Sequence, residues 1–277
     1  MIDGKVYAPA KINIGLVVGD KRLDGFHNLD SYFMRTSLSD EIWYEIDESN
    51  ELSISIEGNE SYLELGAVDL MEKAARNVYE AVKKPFSIHL RIEKNIPTKA
   101  GLGGGSSDAA AVVVLLSSYF NLSLDDMLSI GESVGSDVPF FITGLSCARV
   151  GGRGDIIKEG PLPEKKHLLL IFPDEAVSTK DAYAKLDSAK RDIKVLPESL
   201  SLVNRELFPN DFELVFESEI KKRLEEVVED DDYYSLSGSG STWFILSDEK
   251  QIKRYREILE KECQCKVCKI QEYKSFT

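Results

Sequence analysis

With 277 residues, the chain is long enough to bury two cores, and its 43% hydrophobic and 30% charged content is ordinary for a globular protein. No apolar run reaches the ~18 residues of a membrane span, and a net charge of −14 argues against nucleic acid and anionic membrane as partners. The start, Met-Ile-Asp-Gly-Lys-Val-Tyr, lacks the basic-then-apolar order of a signal peptide, so a cytoplasmic protein is expected.

Ile12, Ile14, Leu16 and Val18 are spaced as in a strand within residues 5–18. Glu41 to Ile46 and Leu52 to Glu57 read as further strands. Leu70, Ala74, Val78 and Val82 recur every four residues, which predicts an amphipathic helix from Val68 to Val82, ended by Pro85. Ser87 to Ile92 is a strand. A glycine-rich stretch then opens a helix from Ala109 to Phe120. Ser123-Leu-Asp-Asp126 resembles a capping box for a helix from Leu124 to Val134.

Gly151-Gly-Arg-Gly154 and Gly160-Pro-Leu-Pro-Glu-Lys-Lys166 bracket a boundary, dividing the chain into residues 1–155 and 156–277. Beyond it come a strand, His167 to Phe172, and a helix, Lys180 to Lys190. Two strand segments between Tyr234 and Ser247, a helix from Gln251 to Glu262 and a last strand from Cys265 to Tyr273 complete an α+β part. The acid-rich run Glu225 to Asp232 reads as a helix end and a solvated loop. Cys265-x-x-Cys268 finds no second pair or nearby histidine. With Cys263 it sits in a strand-like alternation, so plain thiols are expected rather than a metal site.

Residues 97–110 carry the strongest signal: Pro-Thr-Lys-Ala-Gly-Leu-Gly-Gly-Gly-Ser-Ser-Asp-Ala-Ala. Glycine lets backbone approach a ligand and turn its N–H groups towards it, and the following helix adds the positive end of its dipole. A phosphate chain is the natural occupant. The Walker A loop needs a lysine after Gly105, where Ser106 stands. The dinucleotide fingerprint nearly fits, with Asp125 and Asp126 about 20 residues on. It must start at a strand end, however, and here Lys94 to Ala100 intervene. A bland glycine-rich turn ahead of a helix is the other reading. Protein kinases need His-Arg-Asp and Asp-Phe-Gly, and neither is present.

Together with three further segments, this stretch resembles the ATP loop of the GHMP small-molecule kinases. Ala8-Pro-Ala-Lys-Ile-Asn-Ile-Gly15 looks like that family's N-terminal motif, and Gly135-Ser-Asp-Val-Pro-Phe-Phe141 like its catalytic-acid segment. Leu236-Ser-Gly-Ser-Gly-Ser-Thr-Trp-Phe244 looks like its C-terminal glycine motif. Lys21-Arg-Leu-Asp-Gly-Phe-His-Asn-Leu29, followed by Ser31-Tyr-Phe-Met34, is similar to the substrate segment of the branch acting in the non-mevalonate isoprenoid route. The resemblance implies an α+β, two-domain GHMP kinase fold: a ribosomal-S5-like N-terminal domain, a ferredoxin-like C-terminal domain and an active site between them. It implies ATP-dependent phosphorylation of an alcohol, with Mg²⁺ held mainly through the nucleotide and no protein metal site. The implied partner is a small-molecule substrate carrying cytidine diphosphate, and the implied state a monomer or weak homodimer.

On the same resemblance ATP falls to Pro97, Lys99, Ala100, Gly101, Leu102, Gly103, Gly104, Gly105, Ser106 and Ser107, flanked by Lys94 and Asp69. The family often has Asn-Leu where this chain has Asp69-Leu70; an aspartate accepts but cannot donate to adenine. Asp137 matches the family's base and Lys11 its partner. A carboxylate can take the hydroxyl proton, and a lysine can stabilise phosphoryl oxygens or lower the alcohol's pKa. Read from the residues alone, Asp137 serves equally as a helix N-cap and Lys11 as a solvent-facing strand lysine.

Asp108 reads as a first-turn acid favouring the helix dipole, with a water-mediated metal contact as the alternative. Ser106 and Ser107 can donate to phosphate or touch the metal. For the substrate the resemblance points to Asn13, Phe26, His27, Asp137, Tyr183, Gly238 and Ser239. Phe26 can stack on a pyrimidine and His27 bond the base edge, while Tyr183 either closes the sandwich or is a core aromatic. Lys21, Arg22, Arg149 and Arg153 join Lys11, Lys94 and Lys99 as local positive charge for an anionic ligand. A kinase for homoserine or mevalonate would share the loops without needing the aromatic–His pair. A non-catalytic nucleotide binder would not need Lys11 and Asp137.

Overall fold

The computed structural model describes residues 1–59, 70–174, 178–216 and 218–271. Strands β1 (Ile2–Lys21) and β2 (His27–Glu48) form a long antiparallel hairpin. β2 also pairs with β4 (Phe86–Glu93) and with β5 (Cys147–Gly152). β3 (Ser53–Gly58) runs parallel to β4, and β6 (Ile156–Glu159) closes the other edge beside β5. From Ala8 to Val18 every residue of β1 is buried, which is why its alternation is loose: both faces are covered.

Among the described residues four helices pack on this sheet. The apolar face of α1 (Leu70–Val82), with Met71, Ala74 and Val78, meets Ile42, Ile88 and Leu90. The expected first two residues of that helix lie outside the described residues. α2 (Gly104–Phe120) starts five residues before the expected Ala109, because Gly104 to Asp108 are already helical. Poor helix formers are tolerated there because Ala109 to Val113 and Leu116 anchor the helix in the core. α3 (Leu124–Val134) has the expected bounds and a complete Ser123–Asp126 capping box. α4 is the short helix Val138–Ile142.

The second sheet has the order β10-β7-β9-β8, all antiparallel: β7 (His167–Phe172), β8 (Tyr233–Leu236), β9 (Trp243–Ser247) and β10 (Gln264–Lys269). Helices α5 (Thr179–Ser188), α6 (Glu219–Val227) and α7 (Glu249–Leu259) accompany it. β7 is apolar on both faces: Leu168 and Leu170 pack with Ile12, Ile14 and Tyr32 of the first sheet, while Leu169 and Ile171 pack with Ile252 and Tyr255 of α7. The two sheets thus share a core.

The acid-rich run departs from expectation at its end. Residues 229–231 follow α6, but Asp232 is buried, 2.7 Å from Lys165 Nζ and accepting from the Tyr255 hydroxyl at 2.7 Å. A cation and a phenol offset its desolvation. All four cysteines are free thiols.

Candidate active site

Three of the motifs converge on the glycine loop. Gly101 and Gly103 adopt φ +74° and +70°, a left-handed backbone that glycine takes without strain. A Cβ on Gly101 would lie 2.1 Å from the Ser237 carbonyl oxygen, so this position admits no side chain. The Ser237 hydroxyl donates to the Gly101 carbonyl at 2.9 Å, and the Lys11 N–H donates to the Leu102 carbonyl at 2.9 Å. The C-terminal glycine turn and β1 therefore brace the loop from two sides. Gly103 caps α2 without a side-chain hydrogen bond, leaving the first-turn N–H groups of Gly104, Gly105 and Ser106 for an anion. Gly104 itself is helical; a Cβ there would crowd Ile96 at 3.0 Å, so its constraint is space and not a left-handed angle.

The other loop positions differ in access. Pro97 and Lys99 are exposed, Ala100 and Leu102 are buried, and the buried Ser107 hydroxyl has no partner. Asp69 lies outside the described residues. Asp108 is not a first-turn acid: it lies one turn deeper and is buried. Its Oδ2 accepts from Lys94 Nζ at 2.6 Å, and the same ammonium also donates to Asp40. Asp40 Oδ1 in turn accepts the N–H groups of Asn95 and Ile96 at 2.5 and 2.8 Å. Burial pushes the Asp108 carboxyl well above the usual carboxylate range. Burial opposes the Lys94 charge, yet Asp108 and Asp40 outweigh it and the net shift is upward. Lys94 thus lies beneath the loop with its charge committed to two aspartates.

A cavity of about 590 Å³ opens between the loop, β1 and α5. Lys11, Asn13 and Asp137 line one end. Lys11 is 4% exposed; its Nζ lies 2.6 Å from Asn13 Oδ1, 3.8 Å from Asp137 Oδ2 and 4.8 Å from the Phe33 ring centroid. Burial pushes this lysine down, against a smaller upward pull from Asp137. Asp137 precedes α4 but makes no side-chain cap bond, so its carboxylate is free to face the cavity. Asn13 Oδ1 also accepts the Gly238 N–H at 2.9 Å, and its amide donates to Ser31 at 2.9 Å. Ser239 shares a 2.9 Å hydroxyl contact with Thr179 at the start of α5.

The other end is aromatic. His27 and Tyr183 stack with centroids 5.0 Å apart and planes 24° from parallel. His27 Nε2 lies 2.7 Å from Asp187 Oδ1, and that hydrogen bond holds the Asp187 carboxyl below its usual range. Burial pushes the Tyr183 phenol up to about 12. Phe26 is 48% exposed beside them. All of the sequence-derived substrate residues line this one cavity, as do Gly101 and Gly103. Sequence reading missed Asp40, Thr179 and Asp187. Asp187 follows Tyr183 by four residues on α5, a same-face spacing that could have found it. Asp40 carries no comparable signal.

Residues 69–145 match the GHMP kinases N terminal domain. The chain is 32% identical over 256 residues to 4-diphosphocytidyl-2-C-methyl-D-erythritol kinase of Francisella tularensis subsp. novicida, an alignment covering 89% of this chain and 88% of the relative. A relative of the same name from Chlorobium luteolum is 33% identical over 255 residues, covering 87% and 88%. A crystal structure of 4-(cytidine 5'-diphospho)-2C-methyl-D-erythritol kinase is similar with a TM-score of 0.77 at 28% identity, covering 97% of this chain and 100% of that one. A mevalonate kinase structure, TM-score 0.69 at 16% identity, shares the fold alone.

Proposed function

This chain belongs to the GHMP kinase family, in its 4-diphosphocytidyl-2-C-methyl-D-erythritol kinase branch, and on that premise we propose that Lys11 and Asp137 carry the phosphoryl transfer. The reaction moves a phosphoryl group from ATP to the 2-hydroxyl of 4-diphosphocytidyl-2-C-methyl-D-erythritol, a step of the non-mevalonate isoprenoid route. The observation that carries the assignment is the Lys11–Asp137 pair, 3.8 Å apart, at one end of a cavity whose other end is the His27–Tyr183 ring pair. A substrate without an aromatic base would not need that ring pair at the cavity wall.

Asp137 accepts the hydroxyl proton as the oxygen attacks the γ-phosphorus. Lys11 opposes the charge that spreads over the transferring oxygens, in a site dry enough to strengthen that interaction. The N–H groups of Gly104, Gly105 and Ser106 hold the phosphate chain. Phe26, His27 and Tyr183 hold the base. Asn13, Gly238 and Ser239 border the alcohol. The division into residues 1–155 and 156–277 belongs to the same reading; β6 (Ile156–Glu159) pairs with β5 yet falls on the far side of that division, and the gap between the two sheets lies between Glu159 and His167.

The kinase reading implies a Mg²⁺ ion that would be bound together with the nucleotide. Among the described residues no cluster of three acidic, histidine or cysteine side chains could hold it, and Asp108 is committed to Lys94. An ion carried by the nucleotide would be held chiefly by phosphate oxygens, and the Ser106 or Ser107 hydroxyl could add a protein oxygen. When bound, the ion neutralises charge on the β- and γ-phosphates.

The test is turnover of 4-diphosphocytidyl-2-C-methyl-D-erythritol with ATP and Mg²⁺, against homoserine and mevalonate. Turnover of the cytidine substrate alone is expected. Turnover of another alcohol instead would overturn the substrate, and turnover of none would leave a nucleotide-binding protein.

A further inference from the structure

The reading above gives no task to Arg153, which lines the same cavity. Its guanidinium carbon lies 3.8 Å over the centroid of the Phe26 ring. Among the described residues no carboxylate comes within ion-pair distance of that guanidinium. Arg153 is exposed at the cavity, and Asp24 feels its charge without pairing to it, so its N–H groups are open to a ligand. The lysines on either side differ: Lys11 faces Asp137 at 3.8 Å, and Lys21 lies 3.4 Å from Asp187.

The turn that carries Arg153 is held closely. Gly152 and Gly154 have φ +64° and +105°, and a Cβ on Gly154 would lie 2.4 Å from the Ser136 carbonyl oxygen. The Arg153 N–H donates to Asp155 Oδ1 at 2.6 Å. The turn therefore rests on Ser136, the neighbour of Asp137, while its side chain reaches Phe26. It joins the two ends of the cavity.

The substrate is linear: base, ribose, two phosphates, alcohol. With the base at Phe26, His27 and Tyr183 and the alcohol at Lys11 and Asp137, the two phosphates fall between. We propose that Arg153 binds the substrate's diphosphate, stacked on one face of Phe26 and leaving the other face to the pyrimidine. Stacking on a ring fixes the guanidinium plane while its N–H edges stay free, and those edges match phosphate oxygens in pairs. Arg153 is then a specificity residue: it separates a nucleoside diphosphate ester from a plain nucleoside. The proposal rests on the cytidine-substrate reading.

The test is calorimetry on the full chain with CDP and cytidine as probes, for wild type, Arg153→Ala and Arg153→Lys, alongside turnover of the cytidine substrate. Wild type should bind CDP at least ~10-fold more tightly than cytidine, since a charge-assisted bond to phosphate is strong. Arg153→Ala should lose most of that advantage while binding cytidine within about twofold of wild type, and its KM for substrate should rise about tenfold with KM for ATP unchanged. Added salt should erode the CDP advantage in wild type more than in Arg153→Ala. Arg153→Lys, which keeps the charge without the fork, should fall between them and covers the case in which the alanine variant does not fold. An Arg153→Ala protein that keeps the CDP advantage, or that weakens both probes equally, overturns the proposal. A wild type that binds neither probe and does not turn over the substrate overturns the functional reading beneath it, a result distinct from either.

Discussion

Lys11 and Asp137 face each other at 3.8 Å with unequal access to solvent: the lysine side chain is 4% exposed and the aspartate 30%. The pair joins a residue deep in β1 to the residue just before α4. The aspartate is therefore reachable from the cavity while the lysine side chain is packed into its wall.

Asp137→Asn should bind ATP as wild type does and lose ~10²–10⁴-fold in turnover, because an amide cannot take the hydroxyl proton. Its missing cap bond means that α4 does not depend on the carboxylate. Single-turnover kinetics beside ATP calorimetry checks this, and turnover near wild type would remove Asp137 from the chemistry.

Lys11 predicts a pH effect whose sign follows from its burial. Its folded pKa lies below the ordinary 10.5, so the unfolded chain holds the proton more tightly. A reaction that needs the charged lysine should lose rate on the alkaline side before pH 10.5. The buried charge weakens the fold below the folded pKa, and this burden fades as pH rises towards 10.5. Lys11→Met should therefore raise the melting temperature at neutral pH while lowering kcat by about 10²–10³-fold. A methionine variant that melts lower, or a wild-type alkaline limb at or above the ordinary lysine range, contradicts this.

The glycines of the loop should separate by position. Gly101→Ala places a Cβ 2.1 Å from the Ser237 oxygen at φ +74°, so both stability and ATP affinity should fall, the latter by at least ~10-fold. Gly105→Ala meets only Leu70, at 3.6 Å, inside a helix, so the fold should gain about 0.5–1 kcal/mol. Its ATP affinity should still drop, because the new methyl stands where phosphate meets backbone. Thermal unfolding with and without ATP reads both effects, and unchanged ATP affinity in Gly105→Ala would move the phosphate away from the helix start.

Much of this was legible in the chain. Several element types followed from periodicity, while β5, β6, α4 and the first half of β2 did not; α3 and β7 have the expected bounds because a capping box and a continuous apolar run signal their own limits. The start of α2 was read five residues late, since glycine and serine look like loop until the buried Ala109 to Leu116 face pins them into a helix. The cavity residues stood out because glycine motifs name their neighbours. What stayed hidden were pairings made by the fold: Asp40 with Lys94 across 54 residues and His27 with Asp187 across 160. No local spacing encodes such contacts. Asp108 was misassigned for the same reason, its partner being invisible from the helix that carries it.

The Asp40–Lys94–Asp108 group should behave as a buried charge cluster. Lys94→Met leaves two buried carboxylates without a cation and should cost about 3–5 kcal/mol in unfolding free energy. Asp108→Asn leaves Lys94 paired with Asp40 and should be neutral or stabilising at pH 7. The sign follows from the raised Asp108 pKa: the folded protein holds that proton more tightly than the unfolded chain, so its contribution weakens as pH rises above 3.8. The stability difference between Asp108→Asn and wild type should therefore grow in the variant's favour from pH 4 upward. Denaturant titrations across that range check it, and a difference that shrinks with pH would mean that Lys94 dominates the carboxyl.

His27 and Asp187 yield the last expectation. The 2.7 Å contact at Nε2 lets Asp187 accept the ring N–H, which leaves Nδ1 of the neutral imidazole as an acceptor. An acceptor suits the exocyclic amine of cytosine and opposes the carbonyl that uracil has at the same place. His27→Ala should weaken the cytidine substrate by roughly tenfold or more and leave ATP unchanged, combining lost stacking with a lost polar contact. Asp187→Asn should act through the ring: an amide can donate to Nε2 and permit the other tautomer, so Nδ1 would become a donor. Affinity for CDP should fall in Asp187→Asn while affinity for UDP rises or holds, narrowing a preference that wild type should show for CDP. Competition of the two diphosphates against substrate turnover reads this directly. If Asp187→Asn weakens CDP and UDP alike, the aspartate only supports the fold of α5, and the base is told apart by another group.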